Sequence, residues 1–469
     1  MKKLLALFTL LCFYQFIFAD DPIQKKPPEK YISFDKATIK SFQSIPILSE
    51  GRVKPLNTYA AFLLLKINGK RNIRVESGKK IEPMEWFLIS LFYPEEAKKQ
   101  KIFLVDNSEV LESVGFKNQK PRNRYSFEDL APYFQDLMQK AEEISKKEDK
   151  SRSLLEAQIL HLSTNLVVFL NVLRTLDFAR IMKEDPSALG LQLNKPPRHV
   201  IAQLAQAQKK IFEVEPMKSL SAEKQNAVSE EFNKISTLAI ELFHQSDWLT
   251  IFPPMEATIK EWRSPFELLS STTQDPTLEA SHLDSFAILN AFEETCLAID
   301  DQKETPETFI KLANTLNQQI NNQPIAKNYI SKIQMENCYY QLDLIYNSLI
   351  LFILMFLSIC FSFMNLNAKR WQTLNNIFMT IPIALLTGAI SMRCFILERP
   401  PVATLYETIL FITVIICLVC IVIEFIYKNR IASFATSIVG TGGLFLSYAY
   451  ESGDGTDTMG NLAAVLNSN

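Results

Sequence analysis

Two arginines, a tyrosine and a glutamate crowd one short polar stretch between two long apolar runs: Arg393, Arg399, Tyr406 and Glu407, with Pro400-Pro401 among them. A guanidinium at the end of an apolar helix is costly in lipid unless it reaches the interface or a partner. Arg393 therefore reads either as a snorkelling side chain or as a donor to something specific. Pro400-Pro401 stops a helix from continuing, so residues 398 to 404 read as a loop, and Tyr406 stands where the next run begins, at the depth that suits an amphipathic ring. Other groups read as structural. Glu424 precedes Lys428 by one turn, as a helical ion pair would. Gly440, Gly442 and Gly443 would let helices approach closely. Asp454-Gly455-Thr456-Asp457 echoes a calcium loop but lacks its remaining ligands, which predicts an exposed turn. No nucleophile, base and acid cluster at a recognisable spacing, which argues against a protease or transferase.

The elements that position these groups follow from hydropathy. A helical span needs roughly 20 mostly apolar residues, and four such runs are predicted at 344–366, 374–397, 405–427 and 431–450. Lys369 and Arg370 follow the first run, and Lys428 and Arg430 follow the third, so both linkers are expected on the cytoplasmic side. Residues 1–19 carry Lys2 and Lys3 before an apolar stretch and read as a secretory signal or an uncleaved anchor. Export of the residues that follow predicts the same orientation independently.

Between these lie residues 20–341, read as an exported helical domain. Ile102 to Val105 is the best strand candidate and too isolated to make a sheet. Ser126 suits the N-cap of a helix. Residues 151–182 keep apolar positions at three and four spacing, as an amphipathic or buried helix would. Pro196-Pro197 separates it from the next helix, and 223–242 and 284–297 continue the pattern. Lys146 to Lys150 reads as a solvated turn. The fold class is thus all-α, an exported helical domain followed by a four-span core (342–469). The chain has 469 residues, a net charge of -2, 12 Gly and 22 Pro. That charge leaves no electrostatic footprint for nucleic acid, and few glycines suit a helical chain. Cys296 and Cys338 are the only cysteines between the signal and the spans, where an oxidising compartment would permit a disulfide.

Four stretches carry a resemblance. Arg393 followed by Arg399-Pro400-Pro401-Val402-Ala403-Thr404-Leu405-Tyr406-Glu407 resembles the outer loop of the cytochrome c assembly family, the CcsA/ResC-type haem handlers of system II. It departs where that family has Gly (Glu398), a hydroxyl residue (Ala403) and Asn (Thr404). Residues 45–58, containing Gly51-Arg52-Val53-Lys54-Pro55-Leu56-Asn57-Thr58, are similar to a segment that precedes the membrane core in large fused members. Read from its residues alone, this segment is a turn into a helix, with Gly51 at the bend and Asn57 or Thr58 as cap. Met84-Glu85-Trp86-Phe87 resembles the family loosely, and a packed helix stopped by Pro94 explains it as well. Residues 462–469 resemble the segment that precedes an outer histidine.

The resemblance implies a multi-pass protein of the bacterial inner membrane with a large periplasmic domain. It implies a part in delivering haem across the membrane and attaching it to apocytochrome c, as at most one part of a haem lyase. Arg393, Arg399, Tyr406 and Glu407 would then face the haem. Iron commonly needs a histidine, yet His161, His199, His244 and His282 all precede the four predicted spans, and Cys417-x-x-Cys420 has no following His to make an attachment signature. The family's iron ligands would therefore lie on the remaining half of the assembly protein, as a separate partner. The alternative reading is a non-catalytic membrane scaffold or sensor that binds a protein through its exported domain.

Overall fold

A computed structural model describes residues 32–74, 78–116, 122–182, 195–203, 230, 232–238, 240–242, 250–252, 262–265, 267–268, 283–323, 329–364, 369–427, 430–455 and 457–460. The segments 1–31 and 461–469 fall outside them, as do His244 and His282.

The N-terminal half begins with helix α1 (Lys36–Gln43), capped by Asp35, whose carboxylate accepts from the backbone N–H groups of Ala37 and Thr38. Next come strands β1 (Pro46–Ser49) and β2 (Arg52–Pro55), paired antiparallel with Ser49 opposite Arg52. Glu50 (φ 53°) and Gly51 (φ 73°) both take left-handed backbone, which a tight primed turn requires. This segment is therefore a hairpin, where the sequence predicted only a bend. Side chains two apart on a strand share a face, so Arg52 and Lys54 project together. Helix α2 (Leu56–Asn68) starts directly behind Pro55, which occupies the N-cap, and Thr58 is buried, so neither Asn57 nor Thr58 caps it.

Helix α3 (Pro83–Phe92) is buried all round, with Trp86 and Phe87 wholly enclosed. Pro94 both follows its end and opens the short helix Pro94–Lys98. Strand β3 (Phe103–Val105) pairs with β4 (Asn123–Tyr125), so the strand read as isolated has a partner. A third pair joins Ile73–Arg74 to Lys80–Ile81. The described residues are mostly helical with three small two-stranded ladders, and not purely α. Ser126 caps the next helix with a reciprocal Asp129 bond, as expected.

Helices α4 (Phe134–Ser145) and α5 (Leu154–Arg174) follow, joined through the exposed charged residues 146–150. Helix α5 starts at a Ser153/Glu156 capping box and ends eight residues before Met182. Helical backbone resumes at Pro197, and residues 232–238 are helical within the run read from 223 to 242. Helices α6 (Leu283–Asp300) and α7 (Pro306–Asn321) complete the core, where Phe309 meets Phe92 edge-on at 5.1 Å. The Cys296 thiol is free inside α6, and burial pushes it up to about 12. Cys338 is free and exposed, so the disulfide permitted by the sequence does not form.

Helix α8 (Ile330–Leu342) leads into α9 (Leu344–Met364) through Asp343, whose left-handed backbone (φ 46°) bends the rod. Helices α10 (Lys369–Leu397), α11 (Leu405–Tyr427) and α12 (Ile431–Asp454) follow. Helix α9 packs on α10 and α12, and α11 packs on α12 and α10. Phe352, Met355, Ile383, Leu386, Leu410 and Leu444 fill the centre. A Cβ on Gly440 would lie 2.6 Å from the Phe352 ring, and one on Gly443 would overlap Thr413, whereas Gly442 faces open space. Glu424 accepts from the backbone N–H groups of Arg430 and Ser433, so it caps α12. Lys428, its expected partner, lies outside the described residues.

Among the described residues, five helical stretches are long and apolar enough to cross a membrane: 154–174, 330–360, 376–397, 405–427 and 431–451. The chain is thus a multi-pass membrane protein by helix length and composition. The first stretch, absent from the four predicted spans, places Leu162, Leu166, Phe169 and Val172 in the N-terminal core.

Candidate functional site

The hairpin, α8 and the ends of α10 to α12 meet in one buried ionic layer. Arg52 donates to both carboxylate oxygens of Glu336, at 2.5 and 3.0 Å, and to Asp457 at 2.7 Å. Lys54 donates to Asp457 at 2.8 Å and to Glu50 at 2.9 Å. Such charge-assisted pairs are the strong hydrogen bonds of proteins. Asp457 is buried and ion-paired, so the turn read as exposed is in fact a core contact. Burial alone would raise its carboxyl, but Arg52 and Lys54 outweigh that and hold it well below the usual carboxylate range. The same pairing, working against burial, raises the Arg52 guanidinium.

A second group sits beside it. Arg393 is only 3% exposed, so it does not snorkel. It donates to the Thr458 carbonyl at 2.7 Å, the Thr458 hydroxyl at 3.2 Å and Glu407 at 3.4 Å. Arg399 donates to Glu407 at 2.8 Å and to the Gly460 carbonyl at 3.1 Å. The second oxygen of Glu407 accepts from the Ala403 N–H at 3.2 Å, while the Thr404 hydroxyl accepts from the Glu407 N–H. Two of the three positions that depart from the resembled pattern thus make contacts here: Ala403 through its backbone and Thr404 as a helix cap. Glu407 stands in the first turn of α11, where an anion is favoured.

Tyr406 is buried, with its ring centroid 4.8 Å from the Arg393 guanidinium, so it packs in a cation–π contact and not in the interfacial belt. Tyr339 flanks the same guanidinium at 6.0 Å. Arg71 pairs with Glu451 and lies over Phe62 at 4.6 Å and Tyr340 at 5.5 Å. Aromatic rings thus flank both Arg71 and Arg393. The four residues predicted for the loop, Arg393, Arg399, Tyr406 and Glu407, do come together. Asp457, Glu336, Arg71 and Glu451 were missed. Glu336 could have been noticed, since it stands alone among Met335, Cys338, Tyr339 and Tyr340 just before the first predicted span.

The loop arginines border a cleft lined also by Cys394, Leu397, Pro400, Pro401 and Leu410, with a volume of about 10 Å³. That is room for one water molecule. The terminal nitrogens of both arginines are engaged within the chain, and only their Nε atoms are buried without a partner. A porphyrin does not fit this cleft, and no haem chemistry is derived from it. Among the described residues no His, Cys, Asp or Glu group is arranged to hold a metal. His199 instead meets Glu293 at 2.9 Å, beside Arg198, in the N-terminal half. No protein-family model matches this sequence, and no curated protein matches it.

Proposed function

We propose that the chain is a membrane component of a system II cytochrome c assembly apparatus. It builds an outer platform, and another chain, the remaining half of the assembly protein, ligates the haem. The apparatus delivers haem across the bacterial inner membrane and joins it to apocytochrome c. This chain by itself is not the synthetase. The observation that supports the reading is convergence. Two of the stretches that resemble the family, residues 45–58 and 393–407, lie far apart in sequence yet meet the same segment, Asp457 to Gly460. Four spans, α9 to α12, carry the platform, with α5 belonging to a periplasmic domain.

In this reading the chain's own residues position the loop. Glu407 holds both arginines in place, Thr404 and Ala403 fix Glu407, and Tyr406 and Tyr339 shield Arg393 from lipid. The test is deletion of the chain in its host, followed by staining for covalently bound haem. Mature c-type cytochromes should disappear while b-type cytochromes persist, and undiminished c-type cytochromes would refute the assignment. Purified alone, the chain should lack a ligated-haem absorption band. It should gain one when co-expressed with a partner that supplies outer histidines and tryptophans.

One observation favours a second reading, a non-catalytic membrane scaffold. The terminal nitrogens of Arg393 and Arg399 are satisfied inside the chain, as structural arginines are. The deletion experiment separates the two, because a scaffold unconnected with cytochromes leaves covalent haem untouched.

A further inference from the structure

The segment after α12 is tied down from two sides. Its Asp457 carboxylate accepts from Arg52 and Lys54, and the Met459 N–H closes on the same carboxylate at 2.9 Å. Its backbone carbonyls at Thr458 and Gly460 accept from Arg393 and Arg399. Gly455, with left-handed backbone (φ 59°), marks where the segment leaves the helix, and a Cβ there would lie 3.1 Å from the Lys66 Cα. We propose that residues 457–460 form a strap, latched by Asp457 onto Arg52 and Lys54, that holds the Arg393–Arg399 loop closed over the cleft beside Cys394.

The partner arithmetic makes this a latch and not a staple. If the strap leaves, Arg52 keeps Glu336, Lys54 keeps Glu50, and Arg393 and Arg399 keep Glu407. No cation is orphaned in the interior, and orphaning is what makes breaking a buried pair so costly. What is lost is the Asp457 pairing together with the neutral acceptors at Thr458 and Gly460, while Arg393 and Arg399 each retain the Glu407 carboxylate. Two arrangements therefore exist in which every buried charge has a counter-charge, the requirement for a two-state element. The strap joins the hairpin to the loop, so displacing the hairpin loosens the loop. The inference stands on these contacts and does not depend on the cytochrome reading.

Cys394 lines the cleft and is half-buried, whereas Cys338 is exposed, so the two thiols make a paired probe. The experiment measures their alkylation by a charged maleimide in the full detergent-solubilised chain, resolved by peptide mass spectrometry. Asp457→Asn should raise the Cys394 rate about tenfold, the factor expected for one lost buried charge-assisted contact. Lys54→Gln should give a smaller rise, and the Cys338 rate should stay constant. Amide exchange across Pro83–Phe92 reports in parallel whether the core is intact. Equal Cys394 rates in all three proteins would overturn the strap. So would a Cys394 rise that comes only with exchange throughout Pro83–Phe92, because Asp457 would then be a structural staple.

Discussion

At the residue scale, a single carboxylate decides how the halves meet. Asp457 is charged in the folded state because two cations outweigh its burial, which places its folded titration below that of the unfolded chain. A group of this kind contributes stability above its unfolded value and loses it as pH falls through the folded one. Removing the partner of a buried pair costs about 3–5 kcal/mol, and release of the strap would hold Asp457→Asn to the lower part of that range or less. The apparent Tm gap between wild type and Asp457→Asn should stay constant from about pH 8 to 5. It should narrow only below about pH 4, where an ordinary aspartate begins to protonate. A gap that already closes between pH 7 and 5 would mean that another group carries the effect.

At the element scale, the ends of helices carry the unusual backbone. Helix α10 stops at Leu397 because Glu398 turns left-handed (φ 52°) before Pro400. That conformation costs an ordinary residue roughly 1–2 kcal/mol and glycine little. Glycine at this position would adopt the same backbone without that cost. The Lys332–Glu398 pair, 2.8 Å apart, does little to offset the strain, since the Glu398 side chain is 72% exposed. Glu398→Gly should therefore raise stability by up to about 1 kcal/mol, the relieved strain exceeding the added chain entropy of glycine. Thermal unfolding in detergent measures it, and a clear loss of stability would show that the Lys332 pair matters more. The hairpin obeys the same logic, since the left-handed turn at Glu50 and Gly51 folds β2 back onto β1, where strand alternation sets Arg52 and Lys54 on one face.

At the scale of the whole molecule, the ionic layer places the hairpin, α8 and the Glu398 loop on one side of α9 to α12. Helix α5 matches a span in length and composition, but its apolar face is filled by Phe103, Phe127 and other core residues. If α5 stays in that core and only α9 to α12 cross the membrane, as proposed above, a definite topology follows. Reporter fusions at Lys150, Glu398 and Asn469 should all behave as exported, and fusions at Arg370 and Lys428 as cytoplasmic. Opposite behaviour of fusions on the two sides of α5, at Lys150 and Lys195, would make that helix a fifth span.

Local signals determined much of this protein without tertiary help. Runs of apolar residues marked α9 to α12, because span length is fixed by bilayer thickness. Ser126 marked a helix start through a bond to a residue three positions away, and Pro400-Pro401 marked the loop. The sequence also brought Arg393, Arg399, Tyr406 and Glu407 into one neighbourhood, since they lie on one short loop and the helix ends that flank it. What it left open was their state: whether Arg393 snorkels or pairs depends on Glu407, Thr458 and Tyr339 converging from different elements. Asp457 reads as an exposed turn because its partners, Arg52 and Lys54, lie at the other end of the chain. Local pattern records the period of a helix and the stop of a proline. The sign and occupancy of a buried charge depend on which distant groups the fold places within 3 Å, and only the tertiary structure decides that.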